Sequence, residues 1–188
     1  AAQFDMHSVA TTDHGTMFGA VEFYDKATKA GIKPIIGIEI YVAPRTRFDK
    51  TPLDNKGLSH LILLAENQTG YKNLIQLSSL AFMEGYYYKP RMDWELLEKY
   101  SDGLIATTGC LGGHVLQSLL NGDEQGAIEK AARLQDIFGR DNLFVLGLAY
   151  EDSDIDSTGS TELGTLDATR LAVPGGVLVG ESLTALEA

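Results

Sequence analysis

Five residues of types that bind metal ions or move protons share one kind of placement in this chain. Asp13 and His14 stand side by side ahead of Gly15, Glu39 follows Ile35, Ile36 and Ile38, His60 sits near the start of residues 58–65, and Cys110 follows Thr107-Thr108-Gly109. Each falls in or at an end of a segment rich in β-branched or small residues, the composition of a strand. A carboxylate beside an imidazole supplies oxygen and nitrogen donors that suit zinc, manganese or iron. Glu39 carries the sharpest implication, because an ionised carboxylate inside an apolar strand must be paired or bound to a cation.

Each residue also has an ordinary reading. Asp13-His14-Gly15 is equally a strand-end turn, Glu39 fits an edge strand from which it reaches solvent, or a pair with Arg45 or Arg47, and His60 fits a hydrogen-bonded histidine of the core or its rim. Cys110 reads as well as a small packed hydrophobe. His7 beside Met6, and His114 at a helix start after Gly112-Gly113, are assigned structural roles. That glycine pair is too short a signal for a phosphate loop.

The elements that must position these residues follow from periodicity. Residues 8–12 read as a strand, 18–29 carry helical spacing closed by Gly31, 34–42 read as a buried strand and 44–57 as a polar loop. A strand over 58–65, an amphipathic helix over 70–83 and a tyrosine-rich loop over 86–91 come next. A short helix capped by Asp93, a strand over 103–108, a helix over 123–138 and a strand beginning at Phe144 complete the pattern. Strands alternating with longer helices predict parallel strands joined by right-handed crossovers, hence an α/β sheet or barrel. In such folds, sites form where the C-terminal ends of strands meet their loops, so donors scattered along the sequence can converge there.

Composition narrows the class further. At 188 residues the chain is long enough for one domain with a real core. A mean hydropathy near zero, with no apolar run of ~18 residues, predicts a soluble protein with no membrane partner. The start resembles no signal peptide, and the single cysteine excludes an internal disulfide framework, so a reducing cytoplasm is the default. A net charge of −11 argues against a chain that grips nucleic acid by itself. The acidity is concentrated: residues 141–188 hold nine Asp or Glu against one basic residue, Arg170. Two segments of different character therefore meet near position 146, with 151–167 reading as a flexible acidic linker or a solvated loop. That stretch also admits a purely interacting, non-catalytic module.

Taken in order, the segments Val9-Ala10-Thr11-Thr12-Asp13-His14-Gly15-Thr16-Met17-Phe18-Gly19-Ala20 and Ala27-Thr28-Lys29-Ala30-Gly31-Ile32-Lys33-Pro34-Ile35-Ile36-Gly37-Ile38-Glu39 closely resemble the N-terminal polymerase and histidinol phosphatase (PHP) domain of bacterial DNA polymerase III α subunits. Ser59-His60-Leu61-Ile62-Leu63-Leu64-Ala65, Arg91-Met92-Asp93 and Thr107-Thr108-Gly109-Cys110 continue the resemblance in the same order, over about residues 5–145. It implies a distorted (β/α)7 TIM-like barrel, here incomplete, with divalent metals, zinc or manganese, at the strand ends. Asp13, His14, Glu39, His60 and Cys110 would be the ligands. In relatives with an intact cluster the metals activate water for phosphoester or 3′-end hydrolysis, whereas many relatives keep the domain only to support the polymerase.

The sequence departs from that pattern at both ends. No His-x-His precedes Asp13, and Gly180-Glu181-Ser182 stands where a final Asn-Asp-x-His would. About half of the ligands are therefore expected to be missing, which predicts weak metal binding and a supporting role in DNA replication. The implied partners are the rest of an α subunit and other replisome subunits, with DNA met only in that company. An active metal-dependent phosphoesterase or proofreading exonuclease is the alternative.

Overall fold

A computed structural model describes residues 1–109 and 112–144 of the chain. Six strands and six α-helices are described, alternating except that α5 and α6 are consecutive: β1 (Ser8–His14), α1 (Ala20–Lys29), β2 (Lys33–Val42), α2 (Pro52–Lys56), β3 (Ser59–Ala65), α3 (Gln68–Met83), β4 (Arg91–Met92), α4 (Trp94–Lys99), β5 (Leu104–Thr107), α5 (His114–Leu120), α6 (Glu124–Phe138) and β6 (Leu143–Phe144). The strands form one mixed sheet in the order β1-β2-β3-β5-β6, with β4 pairing the end of β2. Among the described residues this sheet is not closed into a barrel. The segment 146–188, with its expected linker, last strand and helix, lies outside the described residues.

Local chemistry explains the element boundaries. The Asn67 side chain accepts the Gly70 amide to start α3, Asp93 accepts Leu96 N to start α4, and Asp123 accepts Gly126 N to start α6. Each satisfies an amide that the first helical turn leaves without a partner. The polar loop after β2 is more ordered than its composition predicts. Thr51 and Asp54 form a reciprocal capping box around α2, with Pro52 in the first turn.

The core lies on one face of the sheet. Ile38, Ile40 and Val42 of β2, Leu61 and Leu63 of β3, and Leu104 and Ala106 of β5 are buried with Leu74, Leu77 and Ala81 of α3, Leu97 of α4 and Leu134 of α6. Burying each of the valine, leucine and isoleucine side chains stabilises the fold by about 1.5–3 kcal/mol. Strand alternation then sends Glu39, Tyr41, His60, Ile62 and Thr107 to the opposite, less covered face.

The expectation of uniformly parallel strands is corrected. β1, β4 and β6 run parallel to their neighbours, but β3 is antiparallel to both β2 and β5. The reason lies in the β2–β3 connection, which contains only the five-residue α2 rather than a helix long enough to cross the sheet. Side chains also hold this loop at one end of the sheet: Arg45 grips Asp54 with two hydrogen bonds of 2.9 and 2.8 Å. The chain therefore re-enters where it left, pairing Val42 with Ser59.

Candidate metal centre

Three of the five candidate donors meet on the less covered face, and register brings them there. His14 ends β1 directly opposite Glu39 of parallel β2, and its Nε2 stands 3.2 Å from Glu39 Oε2. On the other flank Tyr41 pairs with His60 across the antiparallel ladder, which makes Glu39 and His60 diagonal neighbours. His60 Nδ1 lies 3.0 Å from Glu39 Oε1. One carboxylate thus faces two imidazoles, each through a different oxygen.

Because β3 runs backwards, His60 joins from the N-terminal end of its strand, whereas His14 comes from the C-terminal end of β1. Convergence at strand C-terminal ends alone does not describe this cluster. Glu39 is the enclosed member, with 14% of its side chain exposed against 29% for His60 and 64% for His14. The neighbouring Tyr41 ring is buried and meets the His60 ring edge-on at 5.2 Å, which limits how that imidazole turns. Gly15 continues from His14 with φ +66°, where a side chain would be strained. A Cβ there would also approach Tyr41 to 2.9 Å and Pro90 to 2.8 Å, so the turn after β1 requires glycine.

Asp13 stands apart. Its register partner is Ile38, a residue of the core face, so it points away from His14 although the two are adjacent in sequence. Its Oδ2 accepts the Gly19 amide at 3.2 Å, and its Oδ1 lies 3.5 Å from the Thr11 hydroxyl. Cys110 lies outside the described residues. The segment just after it does reach the cluster, since Gly112 O accepts the His60 amide at 3.1 Å.

The readings of Glu39 as a partner of Arg45 or Arg47 are not realised, because both arginines are committed elsewhere. Arg45 pairs with Asp54 and Asp49. Its guanidinium, with the Thr51 hydroxyl, holds the Asp54 carboxyl far below the usual carboxylate range. Arg47 is buried among Glu84, Asp93 and Glu95. Burial opposes its charge, yet those three carboxylates hold its pKa above the ordinary arginine value. Sequence reasoning missed this network, whose acids lie 37 to 48 positions from Arg47. The local hint is the pair Arg45 and Arg47, two arginines one residue apart in an otherwise acidic chain.

The donor chemistry fits a borderline divalent ion. Two ligands of one tetrahedral ion stand roughly 3.4 Å apart, given bonds of about 2.1 Å. The two His–Glu separations are close to that spacing. No group of three His, Cys, Asp or Glu among the described residues is arranged to hold one ion, however.

The model of the PHP domain family matches residues 1–145. The chain belongs to the PHP domain family. As a PHP domain it is 48% identical over 159 residues to a DNA polymerase III subunit alpha of Borreliella burgdorferi, a match covering 82% of this chain and 14% of that protein. It is 47% identical to the proteins of the same name from Treponema pallidum, covering 77% of this chain and 12% of that one, and from Mycobacterium tuberculosis, covering 74% and 13%. The chain thus spans about an eighth of the length of these relatives. No helix among the described residues of this PHP domain is long and apolar enough to cross a membrane.

Proposed function

We infer that this chain serves DNA replication as the PHP module of a bacterial polymerase III α subunit, acting mainly as structural support around a partly dismantled metal site. The observation that carries this reading is the His14–Glu39–His60 cluster. It keeps the donor types and the common face a metal centre needs, yet as described it supplies two donors per ion rather than the four a closed site requires. His14, Glu39 and His60 are the proposed ligands, with Cys110, three positions after β5 in sequence, a further donor. Asp13, engaged by the start of α1, would fix the turn that delivers His14. Zinc and manganese are the ions this donor set suits.

A bound ion of this kind lowers the pKa of its water and polarises a phosphoryl oxygen. The residues' own part is to aim two imidazoles at one carboxylate, with the Tyr41 ring restraining His60. The rest of the α subunit and other replisome subunits would be the partners, in the cytoplasm, and DNA would be met through them. The expected PHP barrel would need staves beyond the open sheet described.

A second reading, an active phosphoesterase or 3′-end exonuclease, is favoured by one feature. Glu39 offers each oxygen to a different imidazole, as a carboxylate bridging two ions does. Metal analysis after dialysis against zinc or manganese separates the two. The supporting role predicts weak, sub-stoichiometric metal, reduced further by Glu39→Gln. Two or more tightly held ions per chain, with metal-dependent release of 3′ nucleotides lost in His14→Ala, would establish the enzyme instead.

A further inference from the structure

A second concave site lies between the loop after β2 and helices α4, α5 and α6, with a volume of about 670 Å³. That is within the range of small-molecule sites, roughly 300–1,000 Å³. Its wall carries Lys56, Lys130 and Arg133 around Trp94 and His114. Among the described residues Lys56 and Lys130 have no carboxylate partner. Lys130 instead donates to the buried Ser118 hydroxyl at 2.6 Å, which fixes its ammonium at the cavity wall. Arg133 lies over the Trp94 ring at 4.4 Å and reaches Glu98, which is not part of the lining.

The two acids of the lining are engaged locally. Asp123 accepts the Gly126 amide to cap its own helix, and Glu129 accepts the Gln125 side-chain amide. Against these two carboxylates the lining sets three cations, an excess of one positive charge in a chain whose net charge is −11. His114 registers two of those cations. Burial first, then Lys130 and Arg133, pull its pKa down to about 4, so the ring edge-on to Trp94 is neutral at pH 7.

We propose that this cavity binds a phosphorylated ligand of nucleotide size, its phosphates held by Lys56, Lys130 and Arg133 beside Trp94 and His114. Charge-assisted hydrogen bonds are the strong ones, and the volume exceeds what one phosphate fills. The site faces the helices rather than the His14–Glu39–His60 cluster, so it stands whether or not that cluster holds metal.

The experiment titrates ATP into the 188-residue chain in EDTA, which removes any contribution of metal-bound nucleotide. Lys56→Ala and Lys130→Met should each weaken binding about tenfold or more, while Lys72→Ala, an exposed lysine on α3, leaves it unchanged. Lys56 is exposed, so its variant keeps the test valid if Lys130→Met unfolds. Inorganic phosphate should bind at least about tenfold more weakly than ATP, and saturating ATP should raise the His114 titration midpoint seen by NMR. The proposal fails if ATP does not bind at millimolar concentration or if Lys72→Ala costs as much as Lys56→Ala. Equal affinity for ATP and phosphate, or an unmoved His114, would also overturn it.

Discussion

Asp13 and His14 are neighbours in sequence, yet they do different work because a strand sends consecutive side chains to opposite faces. His14 faces Glu39, while the Asp13 carboxylate accepts the Gly19 amide where α1 begins. Removing that acceptor leaves a helix-start amide without its partner. Asp13→Ala should therefore lower unfolding free energy by about 1 kcal/mol in urea melts. His14→Ala, at a side chain 64% exposed, should change stability by less than about 0.5 kcal/mol while reducing metal uptake. An Asp13→Ala protein of unchanged stability that has lost all metal would return Asp13 to the ligand set. Period-two alternation was enough to separate the pair from sequence, once β1 was known to run through to His14. Ending that strand at Thr12 hid the distinction.

At the scale of elements, two close approaches decide how helices and loops seat on the sheet. Gly70, in the first turn of α3, has no room for a side chain: a Cβ there would lie 1.8 Å from Gly103 O. Gly70→Ala should therefore destabilise, although alanine is the better helix former by about 1 kcal/mol. A thermal midpoint raised by this substitution would contradict the close packing of α3 on the turn before β5. The second approach is the Arg47 clamp, which binds the α2 loop to α3 and α4 through Glu84 and Asp93. Arg47 and Asp93 expose only 8% and 4% of their side chains. Arg47→Ala strands a buried carboxylate and should cost about 3–5 kcal/mol. The Arg47→Ala/Asp93→Asn pair should recover part of that loss in chemical denaturation. Helix and strand spans were largely legible because hydrophobic period reports them. The direction of β3 was not, since alternation reads the same forwards and backwards and only the folded loop at 43–58 reverses it.

Across the whole molecule, acid sensitivity should trace to His114 and not to the exposed acids. With a folded pKa near 4 and an ordinary value of 6.5, the unfolded chain binds the proton first. The stability His114 contributes is thus fully present above about pH 6.5 and lost as pH falls toward 4. Urea midpoints measured between pH 7 and 4.5 should fall, and His114→Gln should flatten that slope. An unchanged slope in the variant would place the sensitivity elsewhere. Sequence placed His114 at a helix start and gave it a structural role. It could not report Lys130 and Arg133, which reach it from a different helix.

The His14–Glu39–His60 cluster is, finally, a matter of parity. Its members meet because each occupies the right odd or even step of its own strand, and the count matters more than the identity of the residues between. Repeating one isoleucine ahead of Glu39 would hardly alter composition, yet it would turn that carboxylate in among Leu74 and Leu97 and take it out from between the two imidazoles. Repeating two would return it to the correct side, displaced by one pleat. Natural length variants of this strand should therefore be even-numbered wherever the three side chains are kept together.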